Sequence, residues 1–327
     1  MMTRGFLLFS ALLTTQLQGG QMIVFGDSLS DGGYFFGARF TDPGGDLWHE
    51  ALADTLNLNR ATTGLLGSSG LNFSVGGASV SGLQAQVNRY AGRYRWQAGD
   101  LCTLWIGGND IRSSPGQDMT ALTDEIGVII GQLASLGVDH IVVPNLPDIG
   151  AIPEFQNDAM AALARSHGTA AFNAALATEL SARSAQHGII IDRLDVFSLF
   201  QHMLELSGDF GFVHTRSTLQ DHSGDDPTTY VFWDEIHPTA RSHYLLSSAA
   251  VAILEPTRPI EVVSAFLEPE LTFRQTWIAD PTAQYSILSG SDLDALTPAL
   301  ALSGQPSYTV EIPKPALDRG FYQTRRD

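Results

Sequence analysis

Between Met22 and about Glu255, short apolar runs alternate with stretches whose apolar residues recur every three to four positions. That alternation restricts the chain to a parallel sheet flanked by helices, because each strand is followed by a helix that crosses back over the sheet. The runs are Met22 to Phe25, Leu71 to Val75, Leu101 to Ile106, His140 to Val143 and Ile189 to Ile191, which predicts five strands. Between them Leu47 to Leu58, Met119 to Leu136 and Glu154 to His187 carry helical spacing, and Gly137 and Gly188 stand where C-caps belong. A last helix is expected from Pro238 to Leu254, with Pro238 at its first position. Gly82 to Arg95 fits a further helix, whereas Thr215 to Thr229 reads as a long polar loop.

The pattern changes after Glu255. Pro256, Pro259 and Pro269 break up a linker, and strict alternation follows: Phe273 and Trp277 share one parity, and Tyr308, Val310 and Ile312 alternate with Thr309 and Glu311. A small antiparallel β module is expected over 256–327, behind a larger domain over 21–255. Residues 1–20 have the outline of a secretory signal, with Arg4 ahead of an apolar stretch from Gly5 to Leu13 too short to span a membrane. No later stretch reaches the length of a transmembrane helix, so a secreted, periplasmic or cell-surface protein is expected.

Acidic residues outnumber basic ones 35 to 18, a net charge of −17, the wrong sign for binding nucleic acid. Charged residues make up only 16% of the chain, which is compatible with export. The single cysteine, Cys102, can form neither an intramolecular disulfide nor a cysteine zinc cage, and its apolar run marks it as a buried small hydrophobe.

The first strand runs into Gly26-Asp27-Ser28-Leu29-Ser30-Asp31, which puts a serine at the carboxyl end of a strand, where open α/β sheets hold their ligands. A serine hydroxyl is a weak nucleophile and needs a base. Phe232-Trp233-Asp234-Glu235-Ile236-His237-Pro238 offers one: Asp234 and His237 are three apart, so the carboxylate can orient the imidazole toward a hydroxyl. Donors for a developing oxyanion are available on two loops at the same sheet edge, Asn72-Phe73-Ser74-Val75-Gly76-Gly77 and Gly107-Gly108-Asn109-Asp110. Gly77 can bring its N–H close because it lacks a Cβ, and the Asn109 amide is a side-chain donor at a strand end.

These blocks resemble the GDSL family of serine esterases and lipases, also called SGNH hydrolases. They occur in the family's order as Gly26-Asp27-Ser28-Leu29, Gly77, Gly107-Gly108-Asn109-Asp110 and Asp234-Glu235-Ile236-His237-Pro238. Gly37-Ala38-Arg39-Phe40 through Trp48, Val143-Pro144-Asn145-Leu146-Pro147 and Tyr230-Val231-Phe232-Trp233 look like the branch that holds lecithinases and plant lipases. The resemblance spans about Met22 to Leu254. It implies an α/β fold, a flavodoxin-like three-layer α/β/α sandwich on a five-stranded parallel sheet of order 2-1-3-4-5. It further implies Ser28 as nucleophile, Asp234 and His237 as its partners, and Gly77, Asn109 and the Ser28 N–H as oxyanion donors. The position two beyond Ser28 is Ser30, not the glycine of a G-x-S-x-G elbow, which disfavours the ordinary α/β-hydrolase fold.

The expected protein is therefore a monomeric serine hydrolase of carboxylic esters that works through an acyl-enzyme and needs no cofactor or metal. Two other classes would keep the same residues: a catalytically silent surface or binding protein, and an acyltransferase. Tyr34, Phe35 and Phe36, or Phe210 and Phe212, are candidates for an acyl pocket and equally for core. Asp221, His222, Asp225 and Asp226 read as a solvated acidic loop rather than a calcium site, and the other histidines show no ligand spacing. Gly64 to Gly70 precedes a strand, so it is no nucleotide loop. Met160, Ala161, Leu163, Ala164, Phe172 and Leu176 are expected on the core face of their helix. The C-terminal region resembles β modules appended to secreted bacterial proteins, which implies contact with a polymer or cell surface.

Overall fold

The computed structural model describes residues 19–34, 36–63, 70–258, 262–267, 272–290, 297–313 and 321–327. The leader through Gln18, Phe35 and Gly64 to Ser69 lie outside them, as do the side chains of Phe273, Ile312, Phe321 and Tyr322.

Four regular strands, β1 (Met22–Gly26), β2 (Leu101–Trp105), β3 (His140–Pro144) and β4 (Ile190–Leu194), form a parallel sheet in the order β1-β2-β3-β4. Met22 faces Leu101, Cys102 faces Ile141, and Ile141 faces Ile191. The fifth expected strand, Leu71 to Val75, is not a regular strand but lies along the free edge of β1. Val24 N–H donates to the Leu71 carbonyl (3.0 Å), Phe73 N–H to Val24 (2.7 Å) and Val75 N–H to Gly26 (3.1 Å). Counted by position, the order is 2-1-3-4-5. The segment is irregular because Asn72 and Ser74 bond locally: the Ser74 N–H donates to Asn72 Oδ1 (3.0 Å), which competes with a ladder.

Helices cover both faces. The helices α1 (Trp48–Thr55) and α7 (Ala240–Leu254) pack together on one side, and α2 (Leu83–Ala91), α4 (Met119–Ser135) and α5 (Ala159–His187) pack on the other. Aspartates cap the starts: Asp118 accepts from Thr120 and Ala121, and Asp158 from Ala161. The last helix begins after Thr239, its N-cap, so Pro238 is not its first residue; Pro238 instead bridges Phe232. The long helix also starts later than expected, because Pro153–Phe155 forms a separate 3₁₀ turn. Its fully buried side chains begin at Thr169, so Phe172 and Leu176 meet the core as expected and Ala161 packs at its margin, while Met160, Leu163 and Ala164 are exposed.

Two short helices, α3 (Gly108–Ser113) and α6 (Val196–Glu205), were not expected. The supposed polar loop holds the strand β5 (His214–Thr218), which runs parallel to β6 (Tyr230–Phe232). The His214 ring stacks on Tyr230 with centroids 4.0 Å apart, a contact that leaves no apolar run in the sequence.

The C-terminal strands are β7 (Val262–Leu267), β8 (Thr272–Ile278), β9 (Gln284–Gly290), β10 (Thr297–Ser303), β11 (Ser307–Pro313) and β12 (Phe321–Arg326). They form two antiparallel sheets, β11-β8-β7 and β10-β9-β12. Trp277 faces Tyr308 across β8 and β11, and with Ala279, Tyr285 and Ile287 they make a small core. Ser307 Oγ lies 2.9 Å from His202 Nδ1 on α6, and Thr309 donates to Asp209 (2.7 Å). Among the described residues no helix is long and apolar enough to cross a membrane.

Candidate active site

Ser28 sits two residues past the end of β1. Gly26 there has φ +149°, and a Cβ would meet the Trp105 carbonyl at 2.3 Å, so only glycine lets β1 finish this close to β2. The next turn is held by Asp27, whose Oδ1 accepts from the Leu29 N–H (3.0 Å) and whose carbonyl accepts from Ser30 (3.1 Å). Burial pushes the Asp27 carboxyl up to about 7 against the pull of the Leu29 N–H, with Asp110 and Asp31 adding to the rise.

The histidine arrives from the far end of the sequence on the loop between β6 and α7. Its base is pinched shut by the Phe232–Pro238 bridge and by the Trp233 N–H, which donates to the His237 carbonyl (2.8 Å). Asp234 Oδ1 accepts from the N–H groups of Ile236 (2.8 Å) and His237 (2.7 Å), which turns the carboxylate toward the ring. His237 Nδ1 lies 2.8 Å from Asp234 Oδ2 and 3.0 Å from Oδ1, and Nε2 lies 2.9 Å from Ser28 Oγ. A carboxylate can only accept, so Nδ1 carries the proton and Nε2 accepts from the serine hydroxyl. Burial alone would raise the Asp234 carboxyl, but the hydrogen bond and charge of His237 and the two backbone donors outweigh it and hold it below the usual range. The Phe40 ring lies against His237 with centroids 4.9 Å apart.

The two glycine-containing loops are tied to this centre and to each other. Asp31 accepts from the N–H groups of Gly33 (2.9 Å), Tyr34 (2.7 Å) and Gly76 (2.7 Å), so the Gly76 donor is already engaged. Gly77, with φ +76°, has no partner for its N–H among the described hydrogen bonds. Asn109 spends one amide hydrogen on the Ala78 carbonyl (3.0 Å) and keeps the other. Asp110 Oδ2 accepts from Val80 (3.1 Å).

Ser28, His237 and Asn109 line one cavity together with Asp27, Trp105 and Arg112, and its remaining wall is almost wholly apolar. Gly77 is not part of that wall. Arg112 is held by Glu154 through two bonds (2.5 and 2.7 Å), and the Glu154 N–H donates to the Glu235 carbonyl (3.0 Å), which joins α3 to the histidine loop.

Several expected site residues lie elsewhere. Phe210 and Phe212 are buried in the core away from the cavity, Phe36 is fully exposed, and Tyr34 faces the Arg89 guanidinium. In the acidic loop, Asp221 accepts from Thr218 (2.5 Å), Asp225 from the Tyr230 hydroxyl (2.6 Å), and Asp226 caps the turn at Thr228 (2.9 Å). Among the described residues no group of three or more His, Cys, Asp or Glu could hold a metal ion. Sequence reasoning missed Asp31 and Phe40 as organisers of the site. The Asp31 signal was an aspartate three residues after the candidate nucleophile and directly ahead of Gly32 and Gly33.

The model of the GDSL-like lipase/acylhydrolase family matches residues 22–250. The chain belongs to this family. Among curated relatives, the secreted effector protein SseJ of Salmonella typhimurium is 25% identical over 68% of this chain and 61% of its own length. The thermolabile hemolysin of Vibrio parahaemolyticus is 25% identical over 69% and 62%. The chain thus spans about three-fifths of the length of these two relatives. The phosphatidylcholine-sterol acyltransferase of Aeromonas hydrophila is 22% identical over 72% of this chain and 90% of its own.

Proposed function

We propose that this chain is a serine hydrolase of carboxylic esters that works through an acyl-enzyme. The observation that carries the reading is the unbroken relay from Asp234 through His237 to Ser28, with the Ser28 hydroxyl 2.9 Å from Nε2. Ser28 Oγ attacks the ester carbonyl while Nε2 takes its proton, and the ionised Asp234 stabilises the imidazolium that forms. The carbonyl oxygen, now negative, receives the N–H groups of Ser28 and Gly77 and the free amide hydrogen of Asn109. Collapse expels the alcohol, which takes the proton back from Nε2, and a water activated by the same nitrogen releases the acid. Family membership and the order of the blocks support the roles assigned to these residues.

Every one of these groups lies before Glu255, so residues 21–255 constitute the hydrolase domain and 256–327 a separate β module. The leader-like residues 1–20 and the secreted relative SseJ support export. A fluorophosphonate probe tests the reading: mass spectrometry should find one adduct, on Ser28, and p-nitrophenyl esters should be turned over. Turnover without an adduct on Ser28 overturns it.

An acyltransferase is the second reading, favoured by the Aeromonas relative. It differs only in what attacks the acyl-enzyme, so product analysis with an added alcohol separates the two. New ester as the main product would favour transfer.

A further inference from the structure

Resting on the ester-hydrolase reading, we propose that Arg112 and Glu154 are a positioning pair, a strut that fixes the oxyanion donor Asn109 relative to the loop carrying Asp234 and His237. Those two parts of the chemistry come from distant stretches of the chain. Asn109 lies in the first turn of α3 and Arg112 stands three residues on, so the two side chains share a face of the helix, and both line the cavity. Glu154 belongs to the 3₁₀ turn Pro153–Phe155 and grips the histidine loop by its backbone, its N–H donating to the Glu235 carbonyl (3.0 Å). Among the described residues no other hydrogen bond reaches residues 234–236 from outside their own loop. The Glu154 side chain closes the span, accepting from Arg112 Nε (2.5 Å) and Nη2 (2.7 Å) on its two oxygens.

Geometry rather than stability is what such a pair supplies. Its side chains are 37% and 24% exposed, and an ion pair so open to water adds little to folding. Two parallel bonds to a planar guanidinium, however, fix distance and orientation together, which a lysine ammonium does not. Arg165 on α5 steadies both ends. Its Nε donates to the Arg112 carbonyl (3.0 Å), and its guanidinium lies 4.1 Å from the centre of the Phe155 ring, next to Glu154 in sequence. Glu154 is not in the cavity wall, so its effect on the reaction passes through what it holds. The oxyanion exists only in the transition state and the intermediate that follows. A displaced donor therefore weakens that state without weakening ground-state binding.

The test is kcat and KM on p-nitrophenyl butyrate for the full chain and its variants, with a melting temperature for each. Glu154→Ala and Arg112→Ala should each lower kcat by about tenfold, and the double variant should lose no more than either single one, since the same strut is broken in all three. For Glu154→Ala, KM should stay within about twofold and the melting temperature within about 2 °C of the wild type. Arg112→Lys keeps the charge and loses the fork, so it should fall nearly as far as Arg112→Ala. Should Glu154→Ala fail to fold, Glu154→Gln keeps the size and the backbone bond, and its kcat should still fall several-fold. The strut is overturned if the folded Glu154 variant keeps the wild-type kcat or changes KM alone. Losses that multiply in the double variant overturn it too, because the two residues would then act separately. So does full activity in Arg112→Lys, which would leave charge as the only requirement. A wild type that turns over no ester and takes no probe on Ser28 instead defeats the hydrolase reading, and the strut with it.

Discussion

In the region up to Leu254, β1 and β2 are buried along their whole length, and one continuous apolar core joins the sheet to helices on both sides. Among the described residues the C-terminal strands gather a core of their own from Trp277, Ala279, Tyr285, Ile287 and Tyr308, while Ile278 on β8 packs into the larger core. Two small antiparallel sheets bury too little surface to stand far above their conformational entropy, so the module borrows from its neighbour. Ser307 and Thr309 bond His202 and Asp209, and Arg326 donates to the Ala252 carbonyl (2.5 Å). The chemistry is distributed just as unevenly, since all candidate site residues lie in the first region. His202 is on α6, the helix that also walls the cavity, so the module contacts a helix that lines the same cavity as Ser28.

The largest effect separates chemistry from folding. Ser28→Ala should lower ester turnover by about 10⁶-fold and abolish probe labelling, with the melting temperature of both regions unchanged. Turnover near the wild-type value would break the assignment. Asn109→Ala should lower kcat by about 10² to 10³ with little change in KM, because an oxyanion donor acts mainly in the transition state. A change confined to KM would place Asn109 outside the oxyanion hole.

Ending the chain at Glu255 tests the comparison directly. The remaining region should stay folded and still turn over p-nitrophenyl acetate. Its melting temperature should fall by roughly 10 °C, the result of losing at least four hydrogen bonds across the interface, those of Ser307, Thr309 and Arg326 and the bond from Arg258 to the Thr55 carbonyl, together with Ile278 from the larger core. A folded, soluble shortened chain with no turnover would show that the module shapes the site.

Acid lability should belong to the first region, because the module contains no histidine. Burial pushes His49 down to about 4 and His243 down to about 3, and among the described residues neither ring nitrogen of His243 has a hydrogen-bond partner. Their folded-state values lie below the ordinary value of 6.5, so the unfolded chain takes up protons first as the pH falls. Stability is therefore lost between about pH 6.5 and 4. Asp27, raised to about 7, acts with the opposite sign, so a variant isolates the histidine effect. His243→Leu removes a titration without removing a hydrogen bond. Urea denaturation at pH 7, 6 and 5 should show the wild type losing about 1.4 kcal/mol per pH unit relative to the variant below 6.5. Parallel curves would sink this account.

Periodicity alone determined that 22–254 would be a parallel sheet between helices, because burial on both faces leaves uninterrupted apolar runs such as Met22 to Phe25. Residue type and order singled out Ser28, Asn109, Asp234 and His237, since few side chains can serve as nucleophile, base or oxyanion donor, whereas Gly77 as a backbone donor came with the family resemblance. Other features are properties of elements that meet only when folded. The edge position of Leu71 to Val75 depends on β1, and the β5–β6 pair is sealed by His214 stacked on Tyr230 rather than by an apolar run. Asp27 titrates abnormally because the surrounding fold removes water from it, which no neighbour in sequence announces. The cavity is bounded by residues as far apart as Trp105, Met203 and Leu246. Local pattern reports which face of an element is apolar; only tertiary packing decides whether two such faces close on each other or leave a slot between them.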